Sequence, residues 1–263
     1  MIKPTNHPPL VSIITPLYNA ENYITATIKS IQNQTYTHWE HIIVNDVSTD
    51  ASLQIVESFA KRDSRIKVVT LSRNSGAAQS RNKATEIATG AYIAFLDADD
   101  LWHPQKLEKQ LQFMQENNAA VSYTSYVHIN EAGESLGKRI KAIPELTYKK
   151  QHSNNYIGNL TGIYKAAEIG KIIAPNIRKR QDWAVWLEAI KKSNRPALGL
   201  QEDLAYYRIR EGSISSNKLN LIKYNFKFYK EYLSYSWMKA AFYLLRFFYE
   251  YFFVRTKWIE KID

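Results

Sequence analysis

Four short apolar runs, each followed by a polar turn and then an amphipathic stretch, constrain the first hundred residues to alternate strand and helix. Val11-Ser-Ile-Ile-Thr15 reads as a buried strand, and Glu21 to Gln32 as a helix with Ile24, Ile28 and Ile31 on one face. His41-Ile-Ile-Val44 is a second strand. Ala51 to Ala60 is a second helix, entered through Ser48, Thr49 and Asp50, which suit a cap. Ile66 to Leu71, Ala77 to Thr89 and Ala91 to Leu96 continue as strand, helix and strand, with Gly90 stopping the third helix. Pro104 suits the first turn of a helix that runs to about Asn117. This alternation predicts an α/β domain whose mainly parallel sheet is covered on both faces. Ligands of such sheets bind beyond the carboxyl ends of the strands, where the strand order reverses.

The second half is less regular. Ala120 to Ile129 and Asn159 to Tyr164 read as strands, Arg139 to Gln151 as a loop without period, and Gln181 to Ser193 as a helix with Trp183, Trp186, Leu187 and Ile190 at core spacing. From Lys218 the texture turns aromatic and basic at helical spacing, predicting two helices broken near Ser234 to Ser236. With 263 residues, this predicts one large domain over 1–217, with halves near 9–103 and 104–217, and a helical tail over 218–263. No cysteine is present, which excludes disulfides, thiolate metal sites and cysteine nucleophiles and fits a reducing compartment. No signal-peptide pattern opens the chain. The most apolar stretch, Trp237 to Val254, contains Lys239, Arg246 and Glu250, so a spanning helix is not expected. A net charge of +10 favours anionic partners without choosing among them.

The polar residues after the strands converge on one rim. They are Pro16, Tyr18 and Glu21, then Asp46, then Asn74 to Asn82, then Asp97-Ala-Asp99-Asp100. Two carboxylates in a tight turn can hold a hard divalent cation that bridges diphosphate oxygens, although Asp99 or Asp100 could equally cap the next helix. Tyr18 can stack on a nucleobase or be an ordinary half-buried aromatic. Asp46 can accept from a base N–H or a ribose hydroxyl, or cap the helix at Ala51. Small residues from Asn74 to Ala78 suit close approach to a phosphate or tight packing, and Arg81 suits an anion or the surface. Asp182 opens a helix, where the dipole favours a carboxylate, and it also suits a general base.

Taken together, these segments resemble the family 2 glycosyltransferases, inverting enzymes of the GT-A fold. The resemblance runs from about Pro9 to Ser216 and rests on six ordered motifs. They are Val11 to Glu21, Ile43-Val-Asn-Asp-Val-Ser-Thr-Asp50, Asn74 to Asn82, Phe95-Leu-Asp-Ala-Asp-Asp100, Lys179-Arg-Gln-Asp-Trp183 and Tyr207-Arg-Ile-Arg-Glu-Gly-Ser-Ile-Ser215. It is nearest in look to bacterial transferases of cell-surface polysaccharide synthesis, the teichuronic acid type. It implies a nucleotide-sugar donor, most often a uridine diphosphate sugar, and a glycan or lipid-linked glycan acceptor. By position, Pro16, Tyr18, Glu21 and Asp46 would contact base and ribose, and Arg81 would lie near the nucleotide. Asp97 would touch the ribose or a metal-bound water, Asp99 would ligate Mn²⁺ or Mg²⁺, and Asp182 would be the catalytic base.

Three residues depart from the family pattern. Val47 stands where Gly is usual, so a turn there is expected to avoid positive φ. Gln181 stands where many members have Glu. Arg210 stands where many have a metal-holding His, which suggests a guanidinium on the diphosphate. A nicotinamide oxidoreductase is disfavoured because Thr15-Pro-Leu-Tyr-Asn-Ala20 lacks the Gly-x-Gly-x-x-Gly turn. Nucleic-acid binding is disfavoured because no binding motif is present. A non-catalytic protein of the same fold, binding sugar nucleotides or acting as a scaffold, remains the alternative. The aromatic-basic tail suggests contact with an anionic membrane surface or packing on the domain or a second subunit. The expected location is the cytoplasm, peripheral on the inner face of the cell membrane.

Overall fold

The computed structural model describes residues 8–177, 179–210 and 218–262. Consecutive elements β1 (Val11–Leu17), α1 (Ile24–Gln32), β2 (Trp39–Asn45), α2 (Ser52–Ala60), β3 (Ile66–Thr70), α3 (Ala77–Ile87) and β4 (Tyr92–Phe95) form the first half. Period-two alternation along β1 explains its place. Val11, Ile13 and Leu17 pack with Ile24, Ile28 and Ile31 of α1 on one face, while Ile14 packs with Ala84 beneath α3 on the other. The strands pair in parallel in the order β3-β2-β1-β4. The chain steps outward from β1 to β3, and α3 then returns it to the far side of β1. The strand order therefore reverses between β1 and β4, and the carboxyl ends of these two strands bound the crevice.

The second half comprises β5 (Leu101–Trp102), α4 (Lys106–Glu116), β6 (Val121–Ile129), β7 (Ser135–Ile140), β8 (Glu145–Leu146), α5 (Tyr148–Ser153), β9 (Ile163–Tyr164), α6 (Ala166–Ile169), α7 (Gln181–Ser193) and β10 (Ala197–Arg208). Strand β9 joins the halves by pairing antiparallel with both β4 and β6. Strand β10 runs parallel to β6 and crosses β5 and β8 antiparallel, so the described strands make one mixed sheet. The tail supplies α8 (Lys218–Lys227), a π-helical turn at Phe228–Tyr232, α9 (Trp237–Tyr249) and β11 (Ile259–Lys261). Strand β11 adds antiparallel to β7, so the tail also ends within the sheet.

Two segments differ from expectation. Arg139 to Gln151, expected as a loop, holds the end of β7, all of β8 and the start of α5. Besides the β6–β7 hairpin, its strand partners lie far away, in β10 and β11, and β8 is too short to show a period. Asn159 to Tyr164, expected as a strand, is a 3-10 turn followed by the two residues of β9. There Gly162 is required by contact, because a Cβ would lie 2.3 Å from the ring of the fully buried Trp186.

Candidate active site

The turn that ends β4 is organised from β10. Asp100 is buried and accepts from the backbone N–H of Arg208 at 2.9 Å. The Arg208 guanidinium donates to the Asp99 carbonyl at 2.7 Å and to the carbonyls of Asn130 and Glu131. Thr27 of α1 donates to the carbonyls of Ala98 and Asp100, each at 2.9 Å. The turn is thus tied to α1 and β10, which leaves the carboxylates of Asp97 and Asp99 on the rim.

Each carboxylate holds a guanidinium. Arg81, on α3, donates through Nη2 to Asp97 Oδ1 at 2.6 Å, and Arg210 meets Asp99 Oδ2 at 2.8 Å. Burial and the neighbouring Asp97 push the Asp99 carboxyl up, opposed by Arg210. Burial, Asp99 and Asp97 push Asp100 well above the usual carboxylate range. Three carboxylates fall within four residues of this turn, and Arg81, Arg208 and Arg210 supply the positive charge around them. Arg210 also lies over the Tyr23 ring, 5.5 Å from its centroid, with Arg208 at 5.2 Å.

Asp182 reaches the same recess from the first turn of α7. It lines a cleft with Arg81, Asn159 and Gln181, and Arg81 is held charged against its own burial by Asp97, Asp182 and Asp99. Arg81 Nε is buried without a hydrogen-bond partner among the described residues. Asn155 donates to Asp182 Oδ2 at 2.7 Å, and Gln151 fixes the Asn155 amide by donating to its Oδ1 at 2.8 Å. Gln181 does not meet Asp182; its amide turns back to the Ile177 carbonyl. The helix enters through Arg180 in the left-handed region, whose Nε donates to Asn225 of α8 at 2.6 Å.

The remaining expected residues lie on the other lip. Pro16 is half-buried in β1, and Tyr18 is 52% exposed just beyond it. Glu21 accepts from the Ala51 N–H at 2.8 Å, while Asp50 accepts from the Glu21 N–H at 3.1 Å, a reciprocal clasp between the β1 and β2 loops. Asp46 is buried, and its two carboxylate oxygens accept the N–H groups of Ser75 and Gly76, each at 2.7 Å. This bond pair seats the loop that enters α3.

Val47 overturns its expectation. It lies at φ 60°, in the left-handed region, despite its branched Cβ. The turn is held from outside: the Ser48 N–H donates to Asn45 Oδ1, and the Thr49 N–H to Asn19 Oδ1. Asn45 and Asn19 impose the geometry that glycine would adopt freely. The part of the last motif from Glu211 to Ser215 lies outside the described residues. Arg208, Asn155 and Asn159 were not singled out as site residues from sequence. Only Arg208 had a signal, as a member of the Tyr207-Arg-Ile-Arg210 motif.

Residues 12–170 match the model of glycosyl transferase family 2. The chain belongs to this family. This family 2 glycosyltransferase is 48% identical over 237 residues to a Bacillus subtilis (strain 168) protein named as the teichuronic acid biosynthesis glycosyltransferase TuaG, covering 90% of this chain and 94% of TuaG. It is 39% identical over 214 residues to WfgD of Escherichia coli, covering 81% and 83% of the two chains. WfgD is named as a UDP-Glc:alpha-D-GlcNAc-diphosphoundecaprenol beta-1,3-glucosyltransferase. Among solved structures, residues 1–349 of S. aureus TarS in complex with UDP-GlcNAc superpose with a TM-score of 0.72 at 26% identity, covering 94% of this chain and 74% of that one. The mixed, mainly parallel sheet with flanking helices is the GT-A architecture of such transferases.

Proposed function

We propose that this glycosyltransferase moves a sugar from a uridine diphosphate donor to a hydroxyl of a lipid-linked glycan, with inversion at the anomeric carbon and with a divalent metal. The supporting observation is the Arg81 guanidinium, which bonds Asp97 at the end of β4 and feels Asp182 at the start of α7. Two carboxylates with different tasks thus border one recess, at the point where the strand order reverses. The UDP-glucose donor and undecaprenol-linked acceptor for which WfgD is named, and the UDP-GlcNAc bound to TarS, support this donor and acceptor chemistry.

Each side chain has a task in this reading. Tyr18 presents an exposed ring to the base, and Pro16 shapes the floor beneath it. Asp46 spends one lone pair per oxygen on the loop and keeps others for a base N–H or a ribose hydroxyl. Glu21 acts on the base-side lip through its clasp. Asp182 takes the proton of the acceptor hydroxyl as that oxygen attacks from the face opposite the diphosphate. Asn155 occupies Asp182 Oδ2 and leaves Oδ1 for that proton.

The metal test rests on the donor set. No cluster of three or more His, Cys, Asp or Glu residues suited to a metal occurs among the described residues. Asp99 and Asp97 alone suffice where substrate phosphates complete the shell, which is the usual pattern for Mg²⁺. Asp99 fits this role because its carboxylate is partly exposed and its counter-ion, Arg210, is 38% exposed and so displaceable. Asp99 would hold the ion with Asp97 beside it, and the ion supplies neutralisation of the charge that grows on the leaving diphosphate. Arg210 would then be free to meet the phosphates. A lipid-linked acceptor puts the enzyme at the inner face of the membrane.

A thermal-shift panel of uridine, guanosine and cytidine diphosphate sugars, each with and without Mn²⁺, tests this reading. A ligand that binds only the native state raises the melting temperature. Stabilisation by a uridine diphosphate sugar that needs Mn²⁺ and disappears in Asp99→Ala is the expected result. No shift with any nucleotide would move the chain to a non-catalytic role.

A further inference from the structure

Helix α9 is apolar on both sides, and only one side is used. Its inner face, Ala240, Tyr243 and Phe247, packs against Trp183 and Leu187 of α7 and against Phe228 and Tyr229. Glu250, one turn further on, is buried and accepts from Lys150 Nζ at 2.8 Å and from the Tyr156 hydroxyl at 2.6 Å. These contacts fix the rotation of the helix. The outer face therefore points permanently away from the domain.

That outer face carries Met238, Phe242, Leu245, Tyr249 and Phe252, which recur at alternating steps of four and three residues. Such steps place them on one stripe of a helix. All are exposed, from 59% at Phe252 to 79% at Met238, and Trp237 stands at the start at 68%. Continued into the π-helical turn at Glu250–Val254, the stripe from Met238 to Phe252 extends for about 21 Å at the helical rise. Soluble proteins seldom leave so many large apolar side chains together in water. Among the described residues no helix is long and apolar enough to cross a membrane, so the stripe cannot be part of a span there.

Charge decides what covers it. From Lys218 to Asp263 the chain holds nine Lys and Arg against four Asp and Glu, half of its net +10. Of those acids, Glu250 and Glu260 are paired with Lys150 and Lys141 of the main domain, and Glu231 with Lys227. Lys239 follows Met238 in α9 and is exposed, and Lys223, Lys227, Lys230 and Lys257 of the same tail are exposed as well. A second copy would bring the same positive rim against itself. An anionic bilayer supplies both an apolar boundary for the rings and counter-charge for the rim.

We propose that the outer face of α9 lies in the surface of an anionic membrane, with Met238, Phe242, Leu245, Tyr249 and Phe252 at the headgroup–acyl boundary. This inference goes beyond the transfer reaction, and its test contains neither donor nor acceptor, so either reading can fail without the other. The purified full chain is floated with vesicles of equal parts phosphatidylglycerol and phosphatidylcholine, and with vesicles of phosphatidylcholine alone. Binding to the anionic vesicles is expected, roughly tenfold or more above the neutral ones, and falling as salt screens the rim. Leu245→Glu is expected to lower it at least about tenfold, and Lys239→Glu to lower only the anionic component. Both side chains are exposed, so the melting temperature of each variant should match that of the parent. Equal binding to both vesicle types, or anionic binding unchanged in Leu245→Glu, overturns the proposal. So does a concentration-dependent dimer, seen by sedimentation, that Leu245→Glu dissociates while vesicle binding is absent.

Discussion

Arg210→Ala should change metal binding and nucleotide binding in opposite directions. The Arg210 guanidinium meets Asp99 at 2.8 Å, with the two side chains 38% and 18% exposed. For a pair this accessible, solvent screening and side-chain entropy reduce the net contribution to about 1 kcal/mol. Removing the guanidinium frees Asp99, so Mn²⁺ added without nucleotide should bind about fivefold tighter. The same guanidinium, moved to a phosphate, makes a charge-assisted bond of about 1.5–3 kcal/mol. Its loss should weaken uridine diphosphate, titrated at saturating Mn²⁺, by about tenfold or more. Two calorimetric titrations on parent and variant give both numbers. If Mn²⁺ binds more weakly to the variant, Arg210 is not a competitor at Asp99. If nucleotide affinity is unchanged, Arg210 does not reach the phosphates.

Three further outcomes follow from the contacts. Asn155→Leu keeps the shape but removes the bond to Asp182 Oδ2, so kcat should fall about tenfold or more while the donor Kd, measured separately, stays within about twofold. Gly162→Ala drives a methyl into Trp186, which Phe95 and Tyr164 hold edge-on at ring separations of 5.7 and 6.2 Å. Thermal melts should show a loss of about 1–3 kcal/mol, or roughly 2–4 °C for each kcal/mol. His41 is fully buried, and burial pushes its imidazole down to about 3. The unfolded chain binds its proton near pH 6.5, so stability is complete above that value and falls as pH drops toward 3. Urea melts of the parent should lose about 1.4 kcal/mol per pH unit more than those of His41→Gln between about pH 6 and 4. His128 and His152, both pushed down to about 4, add slope of the same sign to each protein.

The first half was legible because its signals are local. The apolar run at Val11 and the stripe of Ile24, Ile28 and Ile31 each declare an element within a dozen residues, and α/β connectivity then dictates where the strand ends meet. The Asp97 and Asp99 turn and the start of α7 could be named for the same reason. The supports around them could not, because they span the chain. Arg208 fixes the Asp99 turn from more than a hundred residues away, and Asn155 reaches Asp182 across a segment without periodicity. Strands β8 and β11 are too short to show a period and exist through their partners. Val47 was misjudged because residue preference was weighed without its surroundings. The side chains of Asn45 and Asn19 hold the turn in a conformation that valine alone disfavours.

The central claim is that Asp182 serves proton transfer while the opposite lip of the recess binds the donor. Asp182→Asn tests it most directly, because the amide keeps the shape of the side chain and can still meet Asn155 but cannot take a proton. Donor affinity by calorimetry and turnover with a lipid-linked acceptor are measured on the same preparation. The account predicts a donor Kd within about twofold of the parent and a kcat lower by about a hundredfold or more. Turnover close to that of the parent would contradict it, and would show that the acceptor proton leaves by another route.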